Sequence, residues 1–481
     1  MSSTSKNLSA IILAAGLGKR MKSEIPKVLH QVCFKPILYY ILKSVSALNP
    51  KNIFVVVGHK GELVRQFLSS DFPDIIAVQQ EDQLGTAHAV GVVKKYYTKL
   101  SDNCLILPGD IPMILPETLE AVISGTVSQG HETSAALLTT IVTDPFGYGR
   151  IIRDPGGNII KIIEEKDASD TEKLINEINT SVYCFKKKIL FEYLENIDSE
   201  NSQKEFYLTD IVENLIKSGQ QVSGYIVKDS IEVEGINDRI QLSVLEKAMQ
   251  KRINREHMLS GVTFKDPDTS FVSPEVVIGK DTIIEPSCLI KGNTKIGQNC
   301  VVGPFTQIED CRIGSDTKIN KSVLQGAEIG NFNIIGPTSY IRPGTLTGDN
   351  VKIGACCEIK KSRISDNSKV PHLSYIGDAE VGAGVNIGAG TITCNYDGFL
   401  KNKTIIEDGV FIGSDTMLVA PVRIGKGAIT AAGSAIVEDV PGECLAIERS
   451  KQANIENGAI KFREKKEKQK LQQNRQLEKN K

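Results

Sequence analysis

From Ile278 an aliphatic residue recurs at every sixth position: Ile278, Ile284, Ile290, Ile296, Val302 and Ile308. A small or polar residue, often glycine, follows directly, as in Ile278-Gly279, Ile296-Gly297 and Val302-Gly303. After one shorter step the beat resumes at Ile313-Gly314. It returns at Ile353, Ile359, Ile364, Val370, Ile376, Val381 and Ile387, and again at Ile412, Leu418, Ile424 and Ile436, running to about Val440. Six is neither a helical period nor a strand alternation. It predicts a chain that turns a corner every few residues and points one aliphatic side chain inward per short strand. Three such strands close a coil, and coils stack in parallel register at about 4.8 Å. A left-handed parallel β-helix of hexapeptide repeats is therefore expected in the C-terminal half, with another domain ahead of it.

The pattern ahead of it is different. Residues 9–15 (Ser-Ala-Ile-Ile-Leu-Ala-Ala) predict a buried parallel strand, and further strands are expected at Ile53–Val57, Ile75–Gln79, Cys104–Leu107 and Ser134–Leu138. Amphipathic helical stretches such as Ile37–Ala47 and Ala87–Tyr97 separate them, so the pattern predicts an α/β sheet covered on both faces, with ligands at the strand C-termini. A helical run from Asp238 to about His257 places Ile240, Val244, Leu245, Ala248 and Met249 on one face and predicts a strut between the two domains. The expected division is 1–236, a linker helix 237–260, a β-helix 261–450 and a charged tail 451–481.

Length and charge narrow the field without changing this division. A chain of 481 residues suits more than one domain. Lys plus Arg is 57 and Asp plus Glu is 58, a formal net charge of −1, so no global field recruits nucleic acid or an anionic membrane. Ten scattered cysteines, with no C-x-x-C pair, favour neither a zinc site nor a disulfide framework and suit a reducing cytosol. No apolar run approaches the ~20 residues of a membrane span, and Ala10–Ala15 is too short and wrongly flanked for a signal peptide. A cytoplasmic, soluble protein is expected. The Lys-rich tail from Lys461 reads as a solvated helix or disorder.

Candidate chemistry falls at strand ends. The first strand opens into Gly16-Leu17-Gly18-Lys19-Arg20-Met21, with Pro26-Lys27 close behind. Glycines there let backbone N–H groups approach phosphate oxygens. Met21 stands where a dinucleotide fingerprint needs its third glycine, and no P-loop pattern exists, so the two cations point to a triphosphate. Asp110, just past the strand Leu105-Ile106-Leu107, reads equally as a Mg²⁺ ligand or a capping carboxylate. In the β-helix the beat breaks after Asn386-Ile387-Gly388, and an excursion of roughly Thr393–Gly409 is expected to project as a functional loop. Arg342, Lys360 and Lys401 make a cationic set suited to a sugar phosphate, with His372 as the candidate base.

The pattern Leu-Ala-Ala-Gly-x-Gly-x-Arg-Met with Pro-Lys-Val-Leu resembles the sugar-1-phosphate nucleotidylyltransferases. Gln-Leu-Gly-Thr, Gly-Asp-Ile-Pro, Gly-Tyr-Gly-Arg-Ile, Glu-Ile-Asn-Thr and Glu-Gly-Ile-Asn-Asp-Arg narrow it. Over nearly its whole length the chain resembles the bacterial bifunctional N-acetylglucosamine-1-phosphate uridylyltransferase/glucosamine-1-phosphate N-acetyltransferase family. The resemblance implies that Leu13, Ala14, Ala15 and Gly16 line the UTP site, that Gln80, Gly85 and Thr86 read the uracil, and that Arg20 and Lys27 hold the phosphates. It implies Mg²⁺ at Asp110 and Asn237, and the N-acetylated sugar at Gly149, Glu164 and Asn179. In the β-helix it implies His372 as general base with Glu358 as its acidic neighbour. Arg342, Lys360, Tyr375, Asn386 and Lys401 would hold glucosamine 1-phosphate. Asn395 and Tyr396 would position the amine and the thioester, and Ser414, Ala432 and Arg449 would meet acetyl-CoA. It also implies a homotrimer built through the β-helix. Lys19, Pro108, Glu448 and Ser450 depart from the family pattern. Two rival readings are a nucleotidylyltransferase whose β-helix only oligomerises, and a non-catalytic scaffold of the same two domains. The first should lack the His372 and Arg342 set, and the second should have lost Arg20, Lys27 and Asp110.

Overall fold

The computed structural model describes residues 7–126, 133–199, 201 and 203–479. It divides into two compact units, one running to Val277 and taking in Ile284–Asn293, the other made of Ile278–Ile283 and the chain from Thr294 on.

The first unit is built on a mixed sheet. Strand β1 (Leu8–Ala14) is apolar on both faces and buried nearly throughout, as a central parallel strand requires. It pairs in parallel with β2 (Asn52–Val57), which pairs with β3 (Ile76–Gln79), and on its other side with β4 (Asn103–Pro108). Because these four strands run the same way, the loops that follow them gather at one edge. Beyond β4 the sheet continues through β5 (Ala135–Ile141), the hairpin β6 (Arg150–Arg153) and β7 (Ile159–Ile163), β8 (Glu177–Lys186) and β9 (Val222–Val227). There β8 is antiparallel to both β4 and β5, and to β6 at one position. Ile11, Phe54, Val56, Leu137, Phe185, Ile211 and Leu215 share the core.

Helix α1 spans Ile37–Ala47 as its periodicity predicts. The run expected at Ala87–Tyr97 is instead a short helix α2 (Thr86–Gly91) continued by a 3₁₀ turn, Val92–Tyr96. A glycine followed by two β-branched residues weakens the α-helix at that point. Helix α3 (Thr209–Lys217) packs on the sheet through Ile211, Val212 and Leu215.

Helix α4 (Arg239–Leu259) starts where expected, because the Asp238 carboxylate caps the N–H groups of Ile240 and Gln241 at 2.9 Å each. Its buried stripe shares Leu245 and Met249 with the predicted one and otherwise departs from it. Ile240 is 76% and Val244 50% exposed, while Leu245, Met249, Gln250, Ile253 and Asn254 are buried. The stripe is shifted by hydrogen bonds rather than by hydrophobicity. Gln250 and Asn254 both donate to the Ser270 carbonyl, at 2.7 and 2.9 Å, so two amides take places that periodicity assigns to apolar residues.

The second unit is a parallel β-helix of two- to four-residue strands. Ile296 pairs with Ile313 and Ile313 with Ile329 on one side; Val302 pairs with Ile319 and Ile319 with Ile335 on the next; Ile308 pairs with Leu324 and Leu324 with Ile341 on the third. These aliphatics are all buried, so the inward ladder also passes without a break through the stretch where the sequence beat was not recognised. Two steps of five, from Ile319 to Leu324 and from Leu324 to Ile329, interrupt the steps of six there and hide the period. Where a glycine follows the inward residue it has a steric reason: a Cβ on Gly297 would lie 2.6 Å from the Ser315 nitrogen in the next coil. Corners are turned by residues in the left-handed region, including Asn299, Asp316, Asn350 and Asn367, residue types that tolerate positive φ.

The expected excursion is shorter than Thr393–Gly409. Ile392–Cys394 still pairs with Met417–Val419, and Thr404–Ile406 already pairs with Ala379–Val381, so only residues 395–403 project. The tail forms a helix, Gly458–Lys479, with Ile460, Phe462 and Leu471 exposed. Among the described residues, no helix is long and apolar enough to cross a membrane.

Candidate functional site

The loops at the parallel edge of the first unit bring distant residues together. Leu13 and Ala14 end β1, and Gly109 N–H donates to the Leu13 carbonyl at 2.8 Å. This draws the start of the Asp110 loop against the end of β1. Lys27, on a 3₁₀ turn (Lys27–Leu29), pairs its ammonium with the Asp110 carboxylate and donates to Asn237 Oδ1 at 3.2 Å. Two hard oxygens thus converge on one cation. That donor set, one carboxylate and one amide oxygen, also suits a hard dication, while no group of three His, Cys, Asp or Glu is gathered at any point among the described residues. Gly235 borders the same carboxylate, 3.6 Å from where a Cβ would stand. Ala15 and Gly16 lie in the loop after β1, and Arg20 is exposed on the turn Lys19–Met21, next to the left-handed Gly18.

Residues expected at the base and the sugar line two neighbouring features. Gln80 follows β3, is 2% exposed, and has its amide against His88 Nδ1 at 2.9 Å. Gly85 precedes α2 with φ 114°, and a Cβ there would strike the Phe206 carbonyl at 2.5 Å. Thr86 Oγ accepts from Leu208 N–H at 3.0 Å. A cleft of about 220 Å³ runs from Leu13 and Thr86 to Glu164, Tyr183 and Thr209. Gly149, Glu164 and Asn179 meet beside it: Asn179 N–H donates to the Gly149 carbonyl at 2.8 Å, and a Cβ on Gly149 would lie 3.5 Å from Glu164 Oε2. Burial pushes the Glu164 carboxyl above its ordinary value, and the nearby carboxylates Asp210, Asp167 and Glu205 add to this. A bulge in β8 between Asn179 and Tyr183 aims Asn179 at the Tyr183 hydroxyl, 2.7 Å away.

In the β-helix, Tyr340, Glu358 and Tyr375 stack on successive rungs of one face. Arg342 donates to Glu358 Oε1 at 2.7 Å. That carboxylate, expected beside His372, is therefore engaged by Arg342 on the neighbouring rung of its own stack. Lys360 lies 3.5 Å from Asp378 Oδ2, which also binds the Asn395 amide, and Asn395 reaches the Tyr375 hydroxyl at 3.5 Å. His372 ends the strand Lys369–His372 with its side chain exposed, and the left-handed Leu373 turns the corner toward Tyr375. Asn386 sits on the same stack as Lys369. Lys401 makes a backbone bridge with Tyr396, the residue after Asn395. It stands on the projecting loop, 3.9 Å above the Tyr396 ring. Toward the C-terminal coils, Arg449 donates to the Ala432 carbonyl at 2.9 Å, and Ser414 accepts from Gly433 N–H at 2.8 Å.

Sequence reasoning passed over Asp378 and His88. Asp378 directly follows Ile376-Gly377 at a left-handed corner, where Asp is common for conformational reasons alone, so nothing local marked it. His88 lies eight residues after Gln80 and could be found only by folding the loop between them.

Comparison with known proteins agrees with both halves. Residues 9–238 match the nucleotidyl transferase family, and residues 275–310 match the bacterial transferase hexapeptide family of six repeats. A curated protein of Carboxydothermus hydrogenoformans, named bifunctional protein GlmU, is 49% identical over 94% of this chain and 99% of its own length. Proteins of the same name from Geobacillus sp. and Syntrophomonas wolfei are each 47% identical over 93% of this chain, covering 96% and 99% of their own lengths.

Proposed function

The chain belongs to the family of bifunctional GlmU proteins, and from that premise we propose how its residues divide the work of two successive reactions. The protein acetylates glucosamine 1-phosphate with acetyl-CoA and then transfers uridylyl from UTP to the N-acetylglucosamine 1-phosphate formed.

Acetyl transfer is the work of the β-helix. Arg342 and Lys360 hold the sugar phosphate, with Tyr375, Asn386 and Lys401 completing the site. His372 takes the proton that the amine sheds as it attacks the thioester carbonyl, and the coenzyme A thiolate leaves. Asn395 and Tyr396 position amine and thioester, and Ser414, Ala432 and Arg449 meet the cofactor. Lys401 projects on its own loop, which suits a site completed between subunits of a homotrimer.

Uridylyl transfer is the work of the first unit. The phosphate oxygen of N-acetylglucosamine 1-phosphate attacks the α-phosphorus of UTP in line, and pyrophosphate leaves. Leu13 to Gly16 approach the nucleotide, Gln80, Gly85 and Thr86 select uracil, and Gly149, Glu164 and Asn179 seat the sugar. Arg20 and Lys27 hold the phosphates, so positioning and charge neutralisation carry the step without a covalent intermediate. Asp110 and Asn237 would hold Mg²⁺, which when bound supplies further neutralisation of the triphosphate. The free cysteines and the absence of a global charge suit work in the cytoplasm on small substrates, away from membranes and nucleic acid.

The observation that carries this reading is the meeting of Lys27, Asp110 and Asn237 at one point. Thiol release from acetyl-CoA and pyrophosphate release from UTP, followed separately on one preparation, test it. Loss of either activity in the folded protein would sink the bifunctional reading.

A further inference from the structure

Arg150 is a buried cation with a task that neither reaction assigns. It is 1% exposed, yet its guanidinium ties three segments together. It donates to the Tyr148 carbonyl, to Glu165 Oε2 at 2.7 Å, and more distantly to the Lys173 carbonyl at 3.5 Å. The same Glu165 oxygen accepts from Gly147 N–H at 3.1 Å. A buried guanidinium is costly unless paired, and its Nε has no partner, so packing alone is a poor reason to keep it.

Its place in the sheet supplies a better one. Arg150 pairs with Ile163 across the β6–β7 hairpin, which sets Gly149 and Glu164 at matching ends of adjacent strands. The residue after each, Arg150 and Glu165, then closes the ion pair. We propose that Arg150 and Glu165 are positioning residues for the N-acetylated sugar phosphate. The pair holds the 147–149 loop against the end of β7, so that Gly149 and Glu164 face the sugar at a fixed separation. This rests on the reading that Gly149, Glu164 and Asn179 seat that sugar.

The test uses the full-length protein in the uridylyl assay with pre-acetylated sugar phosphate, and acetyl transfer as the internal control. Glu165 is the residue to change first, because it is partly exposed and lies beyond the last residue of β7. Glu165→Ala should lower kcat/KM for N-acetylglucosamine 1-phosphate by roughly 10²-fold, chiefly through KM, the scale of an ångström misplacement. KM for UTP should stay near wild type. Glu165→Gln, which keeps one oxygen for both donors, should recover most of the loss. Arg150→Lys, which keeps the charge without the fork, should not. Wild-type kinetics in Glu165→Ala, or equal rises in both KM values, would reduce the pair to a fold contact and overturn the proposal. Glu164→Ala separates the two levels of the argument. If it raises KM for the sugar phosphate and Glu165→Ala does not, only the positioning role fails. If Glu164→Ala has no effect, the sugar-site reading fails and takes the proposal with it.

Discussion

Lys27 donates to Asn237 at 3.2 Å, although the two stand 210 positions apart in the chain. Lys27, which follows the phosphate loop, and Asn237, which leads into helix α4, therefore meet at Asp110, and the first unit is complete only when that helix is in place. Removing Asp110 should strand Lys27 and scatter the charge arrangement at the triphosphate. Asp110→Ala is expected to lower pyrophosphate release by roughly 10²–10³-fold, the scale for losing one preorganised electrostatic group. Acetyl transfer by the same preparation should stay near wild type; an equal fall in both activities would contradict separate sites.

His372 is the only histidine after Met258, so no other imidazole in the β-helix can replace it. His372→Ala should lower acetyl transfer by roughly 10²–10⁴-fold, the usual scale for a general base. The KM for glucosamine 1-phosphate should move far less, since Arg342 and Lys360 remain, and uridylyl transfer should not change. Near-normal thiol release would make His372 a corner residue only.

Asp210, in the first turn of α3, has its carboxyl pushed up from 3.8 to about 6 by burial first, and then by Glu213, Asp198 and Asp167. The native state therefore binds the extra proton between about pH 4 and 6, and this group's contribution to stability falls as pH rises through that window. Asp210→Asn should stabilise the first unit at pH 7 by on the order of 2 kcal/mol, and by nothing near pH 4. Denaturant unfolding at the two pH values checks it; a gain independent of pH would disprove the linkage.

Glycines in the two units should respond in opposite directions. Gly297→Ala drives a methyl into the Ser315 backbone of the next coil and should cost about 1–3 kcal/mol. Gly91→Ala, in helical backbone with nothing within 4 Å, should stabilise by up to ~1 kcal/mol. Unfolding curves for the two variants, read as separate transitions, settle the signs.

These residues also mark how far the sequence could be read. The inward ladder was legible because a polar group at Ile296 and a Cβ at Gly297 are each excluded by stacking itself, so the constraint is written locally. Strand β1 and helix α1 were legible for the same reason: burial on both faces, or on one stripe, leaves a period. The buried stripe of helix α4 is legible only in part because its positions Gln250 and Asn254 are polar, chosen for the carbonyl of Ser270, which no period along the helix reveals. The middle of the ladder, from Ile319 to Ile341, was overlooked where five-residue steps interrupt the beat. At the sites, residue types and their order pointed to the chemistry. Which side chain engages which carboxylate, as with Arg342 on Glu358, depends on the register between coils and appears only in three dimensions.

The loop at residues 395–403 has a bearing on what the chain can accommodate. It leaves the stack after Cys394 and rejoins at Thr404, with Asn402 N–H closing its base on the Asn395 carbonyl at 2.7 Å. Its tip carries Phe399, 92% exposed. A residue deleted within one of the short strands would turn that rung's aliphatic side chain off the ladder, but one gained or lost at this tip changes nothing that stacks. The tip is therefore a seam at which length is free: a tag, a peptide or a whole domain spliced beside Phe399 would ride outside the prism while the coils on either side keep their register.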